Sequence, residues 1–283
     1  MLYGGIEAGG TKMICAVMDE AGKIVDKTSI PTTTARETLP KMVDYFKDFN
    51  IKSLGIACFG PLDLNKSSKK YGYITRTPKE GWEDVNIIEP FKELGVPVEL
   101  DTDVNGAIYG EVMLGAAKNC SSAIYITIGT GIGVGVYVNG ALLHGLMHPE
   151  SGHVLLTKHP EDKYEGCCKF HNSCFEGLAS GPSIMKRWGK PAYELYGESK
   201  VWEIESYYIA QAIADYILCY SPEKIVLWGG VMHQDSLYEM VGNKVKTILN
   251  DYVSVPEDYI IPPMLGEDTG VIGAALLGKN ILS

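Results

Sequence analysis

Two short stretches decide the fold: Ile6-Glu7-Ala8-Gly9-Gly10-Thr11 and Thr127-Ile128-Gly129-Thr130-Gly131-Ile132. Each stretch ends an apolar run, turns through glycine and threonine, and leads into a second apolar run. This is the pattern of two strands joined by a glycine turn. One copy stands at the start of the chain and the other near its middle, so the pair predicts an internal duplication. Two unrelated β-hairpins would give the same pattern by chance.

Outward from these turns, predicted strands and helices mix in both halves of the chain, which defines the α/β class. Further strands are predicted at 23–30, 53–59, 96–100, 224–228 and 258–262. Apolar residues at helical spacing predict helices at 36–49, 103–114, 178–188, 201–220, 235–250 and 269–277. Residues 62–90 are polar and predict a long loop, and long ordered loops in compact domains are often functional.

Composition and charge exclude several classes of function. Apolar residues make up 46% of the chain and charged residues 21%, the balance of a globular protein, and the net charge is −10. Because an acidic surface cannot replace the counterions of phosphates, nucleic acid is not an expected partner. No apolar stretch reaches about 18 residues, and the first residues lack the features of a signal peptide. We therefore expect no membrane span and a cytoplasmic location.

The cysteines fall into two groups. Four of the seven lie in apolar runs, which predicts small buried core residues in a reducing compartment. These four are Cys15, Cys58, Cys120 and Cys219. The other three belong to a Cys/His-rich stretch between residues 149 and 177, where Cys167 is adjacent to the pattern but out of phase with it. We interpret Cys167 as a non-ligand.

The stretch 149–177 combines a predicted metal site with two carboxylates. Cys168, His171 and Cys174 are three residues apart, so one tight loop can direct all three at one point, and His153 adds a fourth ligand. Four N and S ligands suit tetrahedral Zn²⁺ with no open position, which is a structural site. A loop with reduced cysteines and surface histidines is the alternative. Glu150 and Glu176 flank the ligands, so a metal would hold both carboxylates in place.

The two glycine turns are predicted phosphate sites. Glycine lets backbone N–H groups approach a ligand that a Cβ would block, and such turns can bind anions. The first turn comprises Gly9, Gly10, Thr11 and Lys12, and the second comprises Gly129, Thr130 and Gly131. Two turns facing each other across a cleft would bind a polyphosphate from both sides. The alternative for each turn alone is a plain hairpin.

Three other positions carry two interpretations each. Asp103 follows a predicted strand and opens a helix, so it is either a helix cap or a base that accepts a proton from an attacking hydroxyl. Glu7 precedes the first turn and is either a ligand of hydrated Mg²⁺ or a satisfied strand-end carboxylate. The glycines Gly229 and Gly230 also follow a strand, where they would let a ring or a ribose lie against the backbone, or form an ordinary turn.

The order of these motifs along the chain resembles the ROK family of bacterial sugar kinases, within the actin-like ATPase/hexokinase superfamily. The most specific parts are Glu150-Ser151-Gly152-His153 and the cysteine cluster, and the likeness covers essentially the whole chain. Members that act on glucose usually carry Asp where Glu7 stands and begin the metal loop with Cys-x-Cys. This chain departs on both counts, which resembles the fructokinase branch of the family.

The resemblance implies two actin-like ATPase (ribonuclease H-like) domains with a cleft between them. We expect the first at 1–117 and the second at 118–268, with the zinc-binding substrate loop at 149–177. A closing helix near 269–283 is expected to pack back onto the first domain. The segment 266–270 resembles the family's connection between domains and is a candidate hinge.

The resemblance also implies a role for each matching residue. Asp103 matches the catalytic base. The predicted sugar contacts are Asn105, Glu150, His153 and Glu176, and the predicted zinc ligands are His153, Cys168, His171 and Cys174. The predicted nucleotide contacts are Gly9, Gly10, Thr11, Lys12, Gly129, Thr130, Gly131, Pro182, Gly229, Gly230, Val231 and Met232.

The implied reaction is ATP-dependent phosphorylation of a hexose with Mg²⁺, and D-fructose at its 6-hydroxyl is the expected substrate. Mannose, glucose and an N-acetylhexosamine are the alternatives, and a non-catalytic sugar sensor is the alternative of a different class. An ordinary aspartate, with a pKa of about 4, is already ionised at about pH 7, so the role of Asp103 as a base requires no large shift of its pKa. The resemblance also suggests a homodimer.

Overall fold

The structure is a computed structural model that describes residues 1–77 and 79–282. The strands are β1 (Leu2–Ala8), β2 (Lys12–Asp19), β3 (Ile24–Pro31), β4 (Ile51–Cys58), β5 (Tyr73–Ile74), β6 (Val85–Asn86), β7 (Val98–Thr102), β8 (Ala123–Ile128), β9 (Ile132–Val138), β10 (Ala141–Leu142), β11 (Lys224–Trp228) and β12 (Ile260–Ile261). The α-helices are α1 (Ala35–Lys47), α2 (Asp103–Leu114), α3 (Phe175–Ala179), α4 (Gly181–Trp188), α5 (Ser199–Tyr220), α6 (Ser236–Leu249) and α7 (Thr269–Asn280).

The chain forms two compact units, each built on one mixed sheet. Unit 1 contains residues 1–119, 141–149 and the C-terminal segment from Met264, and unit 2 contains residues 120–140 and 150–263. The strand orders are β3-β2-β1-β4-β7 in one sheet and β10-β9-β8-β11-β12 in the other. Because the two orders match position by position, the predicted duplication and the α/β class are confirmed. Residue 283, the last of the predicted closing segment, lies outside the described residues.

In unit 1 the parallel strands β1, β4 and β7 bring the chain segments that follow them to one edge of the sheet. Glu7 pairs with Ala57, and Ala57 pairs with Asp101, so the carboxyl ends of these strands are level. Ile6, Leu54 and other apolar side chains beneath this edge are fully buried. The edge is therefore a rigid base for the residues that follow each strand.

Helix α7 packs on this sheet at very short range. A Cβ at Gly55 of β4 would lie 1.8 Å from the carbonyl oxygen of Ala274, and a Cβ at Gly273 would lie 1.7 Å from that of Gly106. Glycine at these two positions is what lets α7 contact both β4 and α2. This close contact positions the N-terminal end of α7 next to the functional edge of unit 1.

The structure departs from the sequence-based prediction in three places. The helix predicted at 178–188 is two helices, α3 and α4, because Ser180 is extended and the Gly181 N–H donates to Gly129 O (2.8 Å). The polar segment 62–90 contains the antiparallel ribbon β5–β6. Cys15 and Cys58 are buried as predicted, but Cys219 is exposed and Cys120 only half-buried. Cys219 lies beside exposed Leu218 on the outer face of α5.

Within residues 1–77 and 79–282, none of the helices combines the length and the apolar character that a bilayer crossing requires.

Candidate active site

Asp103 is the first residue of α2, directly after β7. Its interpretation as the helix cap is wrong, because Thr102 occupies that position and its Oγ1 accepts a hydrogen bond from Asn105 N (3.2 Å). The carboxylate of Asp103 instead accepts the N–H of Val104 (2.9 Å). Asp103 therefore has one oxygen held by the start of the helix, where the helix dipole favours a negative charge.

The pKa of Asp103 is shifted, although its role as a base does not require a shift. Burial raises the pKa of this carboxyl to about 6, against the opposing effect of the Val104 N–H. A carboxylate with a pKa of about 6 is still mostly ionised at neutral pH and is a stronger base than an exposed aspartate. The shift fits the role of a general base.

Glu7 lies at the end of β1 in the same unit. Burial and, to a lesser extent, the charge of Asp103 raise the pKa of its carboxyl to about 7, although Lys12 acts in the opposite direction. A Cβ at Gly270 would lie 2.5 Å from Cδ of Glu7, so the first turn of α7 closes directly over this carboxyl. Among the described residues no hydrogen-bond donor is found for the Glu7 carboxylate, which disfavours the interpretation of a satisfied strand-end group.

Replacing Glu7 by glutamine is expected to stabilise the fold, and to do so in a pH-dependent way. Because the folded-state pKa of about 7 lies above the ordinary value of 4.5, the folded protein loses stability as the pH rises between these values. Glu7→Gln removes this loss, so it should raise the free energy of unfolding by on the order of 2–3 kcal/mol at about pH 8 and much less at about pH 5. Urea unfolding at both pH values measures this; an equal effect at both would contradict it.

A second polar group on this edge was missed by the sequence analysis. His144 Nε2 lies 2.9 Å from Asp101 Oδ2, and hydrogen bonding to Asp101 raises the pKa of the imidazole. Asn105 is buried, and its Nδ2 donates to Asp101 Oδ1 (2.8 Å). Asp101 therefore joins the start of α2 to the segment that carries His144. The predicted sugar contact of Asn105 remains a prediction.

The first glycine turn is closed by Gly9 N, which donates to Lys12 O (3.1 Å). The N–H groups of Gly10 and Thr11 donate to no residue within the described ranges, and both residues are exposed. Lys12 is exposed as well. Two free N–H groups and a cation at one exposed turn are the elements of an anion site.

The second glycine turn, in unit 2, is braced from two sides. Gly181 N, at the start of α4, donates to Gly129 O (2.8 Å), and Ile132 N donates to Glu176 Oε2 (3.1 Å). The N–H groups of Thr130 and Gly131 have no acceptor among the described residues. Pro182 stands in the first turn of α4, where proline is favoured. The turn therefore has free donors and a helix N-terminus beside it.

The end of β11 lies alongside this second turn. β8 and β11 are parallel neighbours, with Trp228 opposite Thr127. Gly229 has a φ of 111°, and a Cβ there would lie 2.3 Å from Ile128 O, so only glycine fits. The structure thus brings Gly229–Met232 to the same edge of unit 2 as the second glycine turn.

The four predicted metal ligands come together in unit 2. The donor atoms of His153, Cys168, His171 and Cys174 all lie within 4.8 Å of one another. His153 Nδ1 is 3.4 Å from Cys174 Sγ and 3.7 Å from Cys168 Sγ, and His171 Nδ1 is 3.8 Å from Cys168 Sγ. A tetrahedral zinc ion with normal bond lengths separates its S and N ligands by about 3.6 Å. The donor set therefore fits zinc in both chemistry and spacing.

Local structure produces this cluster. Cys168 and Asn172 form an antiparallel bridge, with Asn172 in the left-handed region at a φ of 48°. Cys174 caps α3, and its Sγ accepts the Gly177 N–H (3.4 Å). Cys167 points elsewhere, since its Sγ lies 3.1 Å from Ser183 Oγ. Cys167 therefore lies outside the ligand cluster that contains Cys168, as its position out of phase with the pattern predicted.

The predicted sugar contacts in unit 2 surround the metal cluster and the second turn. His153 presents Nδ1 to the thiols, so Nε2 is its remaining nitrogen. Glu176 contacts the second glycine turn through Oε2. A Cβ at Gly152 would lie 1.9 Å from Ile132 O, so this glycine brings the backbone next to Glu150 against β9. Contact of Glu150, His153 and Glu176 with a sugar remains a prediction.

The two mixed sheets have the same strand order, and each carries a glycine turn with free N–H groups. This arrangement defines an actin-like α/β protein. The chain belongs to the ROK family, whose profile matches residues 3–281. It is 49% identical to a putative fructokinase of Bacillus subtilis (strain 168), covering 99% of this chain and 96% of the relative. It is 44% identical to a fructokinase of Pediococcus pentosaceus, covering 100% and 99%. The ROK hexokinase of Thermus thermophilus superposes with a TM-score of 0.83 at 25% identity, covering 100% and 99%.

Proposed function

We propose that the protein is a fructokinase that transfers the terminal phosphoryl group of ATP to the 6-hydroxyl of D-fructose. The observation that carries the proposal is the edge of unit 1, where Asp103, a half-buried carboxylate with a pKa of about 6, shares the ends of parallel strands with the first glycine turn. A putative fructokinase at 49% identity and a fructokinase at 44%, each matched over essentially the whole chain, support fructose as the sugar.

In the proposed reaction, the sugar hydroxyl oxygen attacks the terminal phosphorus of ATP. Asp103 accepts the hydroxyl proton, the bond to the bridging oxygen breaks, and ADP leaves with that oxygen. Free backbone N–H groups of Gly10 and Thr11 stabilise the negative charge on the transferred group. Catalysis of this kind depends on positioning and charge, and requires little covalent chemistry from the protein.

Glu7 is the residue we propose to hold hydrated Mg²⁺. Its carboxylate has no hydrogen-bond donor among the described residues, and the negative charge of Asp103 acts on it. Magnesium prefers one or two carboxylates with water, and when bound it neutralises charge on the phosphates. A nearby cation would also lower the pKa of Glu7 and remove the cost of its burial.

The proposed metal in unit 2 is a structural zinc held by His153, Cys168, His171 and Cys174. All four ligands come from the protein, so no position remains for a substrate. Its role is to hold the loop that carries the two glutamates, because Cys174 caps the helix on which Glu176 lies. Zinc would therefore act on sugar affinity through position alone.

A panel of sugars tests the proposal. With ATP and Mg²⁺ in a coupled ADP assay, kcat/KM for D-fructose should exceed that for mannose, glucose and N-acetylglucosamine by about tenfold or more, since loss of one buried hydroxyl contact is costly. Preference for another of these sugars would refute the specificity and leave the kinase reaction standing. Sugar binding without ADP release from any of them would show a non-catalytic sensor instead.

A further inference from the structure

Lys79 reaches from the polar segment 62–90 to the first glycine turn. Its Nζ donates to Gly10 O at 2.5 Å and to Thr32 O at 3.3 Å. No spacing in the sequence connects these residues, because Lys79 is separated from Gly10 by 69 positions. Its ammonium has three donors, so this side chain is committed to backbone carbonyls with two of them.

The contact of Lys79 completes a set. Thr32 Oγ1 donates to Gly9 O (2.8 Å), and Thr32 N donates to Thr11 O (3.0 Å). Lys79 holds the carbonyl group of Gly10, which lies between these two. Three consecutive carbonyl groups of the turn therefore accept hydrogen bonds from Thr32 or Lys79. The carbonyl groups are thus occupied, while the N–H groups of Gly10 and Thr11 donate to nothing in the described part of the chain.

Holding a carbonyl fixes the N–H of the same peptide. In a trans peptide the C=O and N–H bonds point in opposite directions. The peptide from Gly10 to Thr11 is trans, so the bond from Lys79 directs the Thr11 N–H to the opposite side. Gly10, on one side of this peptide, gives it conformational freedom that the tether restricts. A charged donor on the carbonyl also polarises the peptide, which strengthens its N–H as a donor.

The position of Lys79 is set by the fold. Trp82 is fully buried, and its Nε1 donates to Thr33 O (2.7 Å). Ala35 N donates to Gly81 O (3.4 Å). The residues after Lys79 are therefore attached to those after Thr32, and the lysine itself is half-buried. This distinguishes it from the exposed Lys69 of the same segment.

We propose that Lys79 is a positioning residue for phosphoryl transfer, which directs the free N–H groups of the first glycine turn at the phosphate. The inference rests on the proposed kinase function. The turn follows β1 and Asp103 follows β7, and the carboxyl ends of these two strands are level in one sheet, with β4 between them. The phosphate opposite this turn is therefore the one that is transferred, so Lys79 should affect turnover and not the binding of ADP.

The test compares Lys79→Met and Lys79→Arg with Lys69→Met as the matched control. Removing one preorganised donor to a reacting anion costs about 10²–10³ in kcat, and a donor that is misdirected should cost about 10- to 100-fold. We expect that loss in Lys79→Met, partial recovery in Lys79→Arg, and wild-type kcat in Lys69→Met. KM for fructose and the Kd of ADP should stay within about twofold of wild type.

Two outcomes of these kinetic measurements would overturn the inference. One is wild-type kcat in a folded Lys79→Met protein. Another is a loss of kcat that comes with a lower Tm and weaker ADP binding, which is a purely structural role. If wild type and Lys69→Met turn over no sugar, the proposed function fails instead. In that case, calorimetry with a non-hydrolysable ATP analogue tests the inference about Lys79 separately. Unchanged affinity of Lys79→Met for the analogue would refute the inference. Weaker affinity for the analogue with unchanged affinity for ADP would support it.

Discussion

Asp103→Asn is expected to lower kcat by about 10²–10⁴, the range of a general base. Asparagine has nearly the same shape, and Thr102 still caps α2, so the helix should form as before. The variant lacks a group that accepts the hydroxyl proton. ADP affinity should be unchanged, because the residue contributes a base and no phosphate donor. Steady-state kinetics and ADP titration measure the two effects separately.

The control for this variant is Asp48→Asn, which changes an exposed carboxylate at the end of α1. It should retain wild-type kcat. Wild-type-like turnover in Asp103→Asn would refute the assigned role, and equal losses of kcat and ADP affinity would indicate a disturbed fold.

The pH profile of the wild type gives a second readout of the same carboxyl. Asp103 accepts a proton only when ionised, so kcat/KM should fall as the pH drops through about 6. Glu7, whose pKa is about 7 as long as no Mg²⁺ is bound beside it, titrates in the same range in the free enzyme that kcat/KM reports. The apparent value therefore belongs to the pair. A flat profile down to about pH 5 would show that the base has an ordinary pKa.

Features encoded by local spacing could be predicted from the sequence. The glycine turns follow apolar runs, and the ligands Cys168, His171 and Cys174 share a spacing that one loop can bring together. Contacts between distant segments could not be predicted. His144 meets Asp101, and Lys79 meets Gly10, without any pattern that relates the partners. The raised pKa of Asp103 is also invisible in the sequence, because burial is a property of the folded chain.

Glu111 shows the same limit at the start of the C-terminal segment. This fully buried carboxylate of α2 accepts hydrogen bonds from Met264 N (3.1 Å), Leu265 N (3.0 Å) and Thr269 Oγ1 (3.0 Å). The sequence identified 266–270 as a candidate hinge and gave no sign of its partner. The structure fastens both ends of that segment to α2, the helix that begins with Asp103. Glu111 therefore ties the candidate hinge segment to the helix that carries the base.

Cys174→Ser is expected to abolish stoichiometric zinc and to destabilise unit 2. A hydroxyl is a poor zinc ligand, and the remaining three ligands leave the site open. Structural zinc contributes folding free energy directly, so we expect a loss of about 5 kcal/mol and a Tm lower by roughly 10 °C. Serine can still cap α3. Without the metal, however, the loop that ends at this helix is no longer held, so Glu176 is displaced and KM for fructose should rise more than kcat falls.

Two other cysteines provide controls for the metal. Cys219→Ser changes an exposed side chain, and Cys167→Ser changes the neighbour that contacts Ser183 instead of the cluster. Both variants should retain one zinc per chain by metal analysis, and Cys219→Ser should keep the wild-type Tm. Treating the wild type with a chelator should reproduce the Cys174→Ser losses. A wild type that contains no zinc, or that keeps its Tm and its KM for fructose after zinc is removed, would refute the structural site.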